Sequence, residues 1–251
     1  MELAFDPRFW GLAPIILLSF TTEAMTGFGS IVIAVTIGAN FFPIKELLPV
    51  LVPLNILLSS YIVWRHHEHI DKGLLFRQIL PWCGLGVLIG LALFQYAEGA
   101  RLKKAFGVLV VVFAVRELYK SLNNGDDAPA PLSRLDLRSL PWLVASGITH
   151  GLYASGGPLL VYALGRVHIP KAQFRATLST VWWLLNGAMT IGYLTMGAIS
   201  IAQAQLIGVL TPLVVLGIVI GEFLHHRIDE RRFRIAIFVL LTIAGGSLLF
   251  S

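Results

Sequence analysis

Charge is scarce in this 251-residue chain: Asp, Glu, Lys and Arg make up 13% of it, about half the ~25% usual in soluble domains, against 56% hydrophobic residues. A water-soluble fold of this length has no interior that could hide so much apolar surface. The composition therefore excludes an ordinary soluble domain and asks for lipid as the solvent. Cysteine is nearly absent too. Cys83 stands alone inside an apolar segment, which excludes an intrachain disulfide and leaves a free core thiol. The first nine residues set Glu2 and Asp6 against Arg8 and lack the basic start of a secretory signal, so the first apolar segment is expected to be retained. The net charge of +5 does not signal nucleic acid, because Lys and Arg sit in short loops between apolar runs, the distribution of membrane topology signals.

Eight apolar segments fill the chain, at about 10–39, 41–64, 74–96, 102–119, 140–165, 174–198, 205–226 and 233–250. Each is long enough, or nearly so, to span a hydrocarbon core of ~30 Å as a helix. One stretch differs. Ser121 to Ser139, SLNNGDDAPAPLSRLDLRS, is polar and holds Pro129 and Pro131, so it reads as a linker between an N-terminal half, 1–120, and a C-terminal half, 140–251.

The two halves repeat each other. Pro81, Gly86 and Gly90 recur as Pro212, Gly217 and Gly221 at an offset of 131, and Pro43 recurs as Pro170 at an offset of 127. At 127, Gly29 falls on Gly156, Ser30 on Gly157, Thr22 on Thr149 and Glu23 on His150. Segment one carries TTEAMTGFGS (Thr21–Ser30) and segment five GLYASGGP (Gly151–Pro158). Such small-residue clusters favour breaking a helix, and a break frees amide groups that hydrocarbon cannot satisfy. Where a second half-helix begins, at Gly29-Ser30 and at Gly156-Gly157, its N–H groups and positive dipole end suit an anion. Pro158 fits a first helical turn, where proline loses no intrahelical bond. The competing reading is that small residues merely let helices pack closely; that is the role expected of the Gly86/Gly90 and Gly217/Gly221 pairs. Equivalent interruptions in duplicated halves point to a transporter binding site.

With its TGFGS and YASGGP interruptions opening each half, the chain resembles the sulfite exporter TauE/SafE family over essentially its whole length. The resemblance implies a transporter of small sulfur-containing or organic anions, such as sulfite and sulfonates, in the bacterial inner membrane. No cofactor is expected.

Loop charge separates two topologies. Eight crossings give parallel repeats, with 11 Lys and Arg on one side against 8 on the other. If segments one and five are re-entrant hairpins, six crossings give inverted repeats and a count of 14 against 5. The positive-inside rule prefers the second, with both termini outside, although Arg101, Lys103 and Lys104 then lie on the poorer side. The expected fold is an all-α membrane protein with segments one and five broken or re-entrant and the repeats inverted.

Substrate binding is expected at Thr26, Gly27, Gly29 and Ser30 in the first half and at Ser155, Gly156 and Gly157 in the second. Glu23 and His150, ionisable at equivalent apolar positions, are the candidates for proton coupling; hydration near a membrane face is the alternative. Arg175, Ser179, Trp182 and Asn186 share one face of segment six. Arg175 is an anion contact or a snorkelling topology residue, and Asn186 a substrate contact. Asn55 needs a hydrogen-bond partner, and helix-to-helix glue is its commoner role. Arg65-His-His-Glu-His69 and His225-His226-Arg227 match no zinc motif, so no metal is expected. His150 and Ser155 near a glycine pair admit an intramembrane serine hydrolase, but the string YASG lacks the glycine two before the serine of rhomboid-type proteases. A passive anion channel would use the same site as a transporter. The expected partners are a small anion and the bilayer; whether copies associate as a homo-oligomer is not written in the sequence.

Overall fold

Helix boundaries follow the breaks foreshadowed by glycine and proline. The computed structural model describes residues 7–122, 137–164, 169–225, 227 and 230–250. Most of the polar linker, along with Arg166 and His226, lies outside them. Among the described residues the chain is helical and without strands. The first half comprises α1 (Pro7–Thr26), α2 (Ser30–Gly38), α3 (Ile44–His66), α4 (Lys72–Tyr96) and α5 (Gly99–Leu122). The second comprises α6 (Leu140–Tyr153), α7 (Gly157–Leu164), α8 (Lys171–Thr195), α9 (Ile201–His225) and α10 (Glu230–Phe250). Segments one and five are thus each two helices.

Local chemistry sets the ends. Pro43 and Pro170 stand at the N-caps of α3 and α8 with φ of −59° and −56°. Asp71 opens α4, its carboxylate accepting from the Leu74 N–H at 2.9 Å. The π turn at Leu75–Ile79 falls just ahead of Pro81, whose missing N–H leaves the carbonyl four residues back without its usual donor.

By length and apolarity three described helices can cross a membrane: Ile44–His69, which is α3 with its following turn, α4, and Ile201–Leu224 of α9. Ile235–Phe250 in α10 is a shorter apolar helix. Large apolar side chains face outward, Leu88, Val112, Ile191, Val219 and Ile243 among them, while Glu23, Asn55, His150 and Asn186 are buried. A surface of hydrocarbon around a polar centre is the arrangement lipid selects.

Helices pair across the halves: α1 with α9, α6 with α4, α3 with α8, and α5 with α10. The glycine pairs explain the closeness. A Cβ on Gly86 would stand 2.8 Å from Gly147 Cα, and one on Gly90 2.8 Å from Gly151 Cα. On the reciprocal face, a Cβ on Gly221 would stand 2.7 Å from the Thr21 carbonyl oxygen. These glycines pack, as small-xxx-small spacing requires. Cys83 is sealed into the α4–α6 contact, its thiol donating to the Leu143 carbonyl at 3.3 Å.

Candidate functional site

Both broken segments end their first helix just before a left-handed residue. In the first, the Gly27 N–H donates to the Glu23 carbonyl at 2.7 Å with φ of 85°, and Gly29 follows at φ 108°. In the second, 127 residues on, the Ala154 N–H donates to the His150 carbonyl at 2.6 Å with φ of 50°. Gly27 and Ala154 each follow the end of one helix and redirect the chain, while Gly29 stands at the N-cap of α2. The redirection is sharp in segment five, where Ser146 Oγ donates to the Gly156 carbonyl at 2.7 Å, ten residues ahead. A Cβ on Gly156 would meet His150 Cβ at 2.9 Å, so the chain lies back over the end of α6.

A chain of hydrogen bonds joins the two breaks. The Ser30 N–H, at the start of α2, donates to Glu23 Oε2 at 2.8 Å. Asn55 Nδ2 donates to Glu23 Oε1 at 2.9 Å and to Ser30 Oγ at 2.8 Å. Asn55 Oδ1 accepts from Asn186 Nδ2 at 2.7 Å and from Ser59 Oγ at 3.0 Å. Asn186 Oδ1 lies 3.0 Å from His150 Nε2, and the Gly156 N–H points at His150 Nδ1 at 3.4 Å. His150 therefore donates through Nε2 and accepts through Nδ1, a neutral tautomer in this arrangement. Its ring stacks on Trp182, centroids 5.3 Å apart and 16° from parallel. The Asn55–Asn186 bond gives Asn55 the partner it required and ties α3 to α8.

Two cavities flank this chain. A narrow cleft of about 20 Å³, room for about one water molecule, has Glu23, Asn55, His150, Ser155, Gly157 and Asn186 on its wall. A larger cavity of about 340 Å³ has Thr26, Gly29 and Arg175 on its wall together with apolar side chains. Phe28, Gly29 and Val32 border both. The predicted site residues are thus divided between two adjoining spaces, and Gly27, Ser30 and Gly156 lie on the wall of neither. Arg175 does not snorkel. Its Nη2 donates to the Ala24 carbonyl at 2.6 Å and pairs with Glu222, binding α8 to α1 and α9.

Glu222 was not singled out from the sequence; a lone acid one residue after Gly221 in an apolar run was the signal available. Phe28 and Ser146 were missed as well, since neither residue type is unusual in a membrane helix. Ser155 Oγ donates to the Tyr153 carbonyl at 2.9 Å, while the His150 ring nitrogens face Asn186 and Gly156. The serine and histidine do not form a nucleophile–base pair. Among the described residues no cluster of His, Cys, Asp and Glu could hold a metal.

Lipid-facing helices around paired breaks and a buried polar chain make an integral membrane protein. A family model described as Sulfite exporter TauE/SafE matches residues 12–248, and the chain belongs to that family. No curated protein and no solved structure matches it. Membership makes the protein a transporter of a small anion, as its resemblance to the family implied, and not an enzyme.

Proposed function

We propose that the protein exports a small sulfur-containing or organic anion, sulfite-like or sulfonate-like, across a bacterial inner membrane. The observation that carries this reading is the meeting of the two helix breaks on one buried hydrogen-bonded chain, from the Ser30 amide through Glu23, Asn55, Asn186 and His150 to the Gly156 amide. The repeats are inverted, with α1–α2 and α6–α7 entering from opposite faces as re-entrant hairpins whose tips meet at mid-depth. The 14 to 5 charge count supports this.

The anion binds at the hairpin tips, between Thr26, Gly29 and Arg175 on the wall of the larger cavity and Ser155, Gly157 and Asn186 on the wall of the cleft, and Gly27, Ser30 and Gly156, on neither wall, join the site once the Glu23 and His150 bonds to the Ser30 and Gly156 amides open. The Ser30 amide already holds a carboxylate, that of Glu23. An incoming anion must compete with it, and a proton on Glu23 weakens the resident bond and opens the amide to substrate. His150 offers the second proton position, since protonation of Nδ1 ends its acceptance from Gly156. Outward movement of an anion is downhill in the membrane potential, ~2.3 kcal/mol per charge per 100 mV, so the potential drives export and the proton governs access.

Proteoliposome flux over sulfite, sulfonates, carboxylates and halides tests the reading. Saturable flux of sulfite or a sulfonate, accelerated by an interior-negative potential and able to run uphill when a pH difference is imposed, is expected. Flux that never concentrates substrate whatever the pH difference marks a passive channel, and no anion flux at all ends the proposal. A homo-oligomer would leave this site intact, because both breaks come from one chain.

A further inference from the structure

Among the described residues, the buried side-chain polar atoms that find no hydrogen-bond partner gather on one helix. Arg175 Nε, Ser179 Oγ, Thr190 Oγ1 and Tyr193 Oη all belong to α8, and His66 Nε2 ends α3, whose following turn packs on α8. With Trp182 and Asn186 between them, the α8 residues follow at spacings of four, three, four, four and three. At about 100° per residue they share roughly 80° of the helix circumference.

A hydroxyl in an apolar helix ordinarily donates to the carbonyl one turn back, as Thr22, Thr36, Thr211 and Thr242 do. Helix α8 divides its own hydroxyls by face. Away from the stripe, Thr180 donates to the Ala176 carbonyl at 2.8 Å, Thr195 to the Gly192 carbonyl at 2.9 Å, and Thr177 Oγ1 accepts from the Asp71 N–H at 3.0 Å. On the stripe, Ser179, Thr190 and Tyr193 make no such bond. Tyr193 is fully buried, its ring against Phe94 of α4 with centroids 5.7 Å apart. Leaving a donor buried and unmet is unfavourable, and alanine, valine and phenylalanine would fill the three places without that cost.

The stripe has the length and the chemistry of a path. From Arg175 to Tyr193 it rises about 27 Å at 1.5 Å per residue, nearly the ~30 Å of a hydrocarbon core. Asn186, bonded to Asn55 and 3.0 Å from His150, stands between its two halves. The four unmet groups all donate, and α8 has no Asp or Glu. Donors without carboxylates suit an anion, whereas a cation path calls for carboxylates or carbonyls.

We propose that this face of α8 lines the path of the anion, with Arg175 and Ser179 as its stations on the cytoplasmic side of Asn186 and Thr190 and Tyr193 on the outer side. The proposal rests on the reading of the protein as an exporter with inverted repeats, which runs α8 from the cytoplasm outward. In the structure these donors are sealed between helices; the path opens where α8 parts from its neighbours, and each donor is satisfied as the anion passes.

Single cysteines on a Cys83→Ala background test it, with impermeant methanethiosulfonates of either charge applied to intact cells and to inverted membrane vesicles. Thr190→Cys in cells and Ser179→Cys in vesicles should react at least tenfold faster than Thr180→Cys, off the stripe, and Ile191→Cys, on the exposed face. After division by each reagent's rate with a free thiol, the anionic ethylsulfonate reagent should exceed the cationic trimethylammonium one at least threefold. Tyr193→Phe, made in the native chain, removes a hydroxyl that no partner holds, so sulfite flux in proteoliposomes should fall at least threefold while the melting temperature stays level or rises. Stripe cysteines no more reactive than the controls overturn the proposal, as do cysteines that favour the cationic reagent or a Tyr193→Phe variant with normal flux. Where anion flux persists beside unreactive stripe cysteines, this inference fails and the exporter stands; absence of any anion flux from the wild type removes the exporter reading itself.

Discussion

Glu23 and His150 sit at the same step of two equivalent turns, yet one presents a carboxylate to an amide and the other an imidazole nitrogen. Each cancels the exposed start of a half-helix with its own side chain. If they carry the coupling proton, Glu23→Gln and His150→Gln should each abolish pH-dependent flux while counterflow exchange falls less than about threefold. Loss of both modes together would assign them a structural role. Gly157 tests the anion contact from the other side. A Cβ there would lie 3.7 Å from Phe28 and from Trp182, an ordinary contact, so Gly157→Ala should fold normally. The larger Gly157→Val should cost at least tenfold in sulfite-induced thermal stabilisation; a normal response would mean that the substrate sits elsewhere. Ala154 adds a prediction independent of transport. At φ 50° it occupies a conformation that glycine adopts without strain, so Ala154→Gly should stabilise the protein by up to about 1 kcal/mol in thermal or denaturant unfolding.

At the scale of helices, the glycines fall into two kinds that the sequence cannot separate one by one. Gly86 meets the backbone of α6, which has no side chain to move aside, while Gly208 in α9 has open space where a Cβ would be. Gly86→Ala should therefore destabilise by about 1–3 kcal/mol, whereas Gly208→Ala should stabilise by about 0.5–1 kcal/mol. Unfolding in the same detergent measures both, and equal effects would deny that α4 and α6 are locked at that point. Spacing did make the Gly86/Gly90 and Gly217/Gly221 pairs legible, because four-residue periodicity marks one helix face. It also placed both helix breaks, since only glycine and proline clusters interrupt otherwise continuous apolar runs. The larger cavity was not legible. Its walls come from helices scattered along the whole chain, and Arg175 finds its carbonyl and carboxylate partners 151 and 47 residues away. Such distances leave no periodic trace. That the Ser30 amide is taken by Glu23 was equally hidden, because sequence gives the depth of an acid but not the direction of its side chain.

For the molecule as a whole, the charge count makes a prediction about sidedness. Thiols introduced by Asn124→Cys in the linker and by Arg231→Cys beyond α9 should both be shielded from an impermeant maleimide in intact cells and both react after permeabilisation. Labelling of one from outside and not the other would favour eight crossings and parallel repeats. The native thiol does not confuse this experiment, since Cys83 is buried between α4 and α6.

That burial has a use of its own. The α4–α6 contact joins one half to the other, so any working cycle in which the halves rock against each other must loosen it, and any cycle confined to the hairpin tips need not. Cys83 is thus a native stopwatch for the stroke: its rate of modification by a small permeant thiol reagent should rise during turnover if the halves move as bodies, and stay at its resting value if only the tips do.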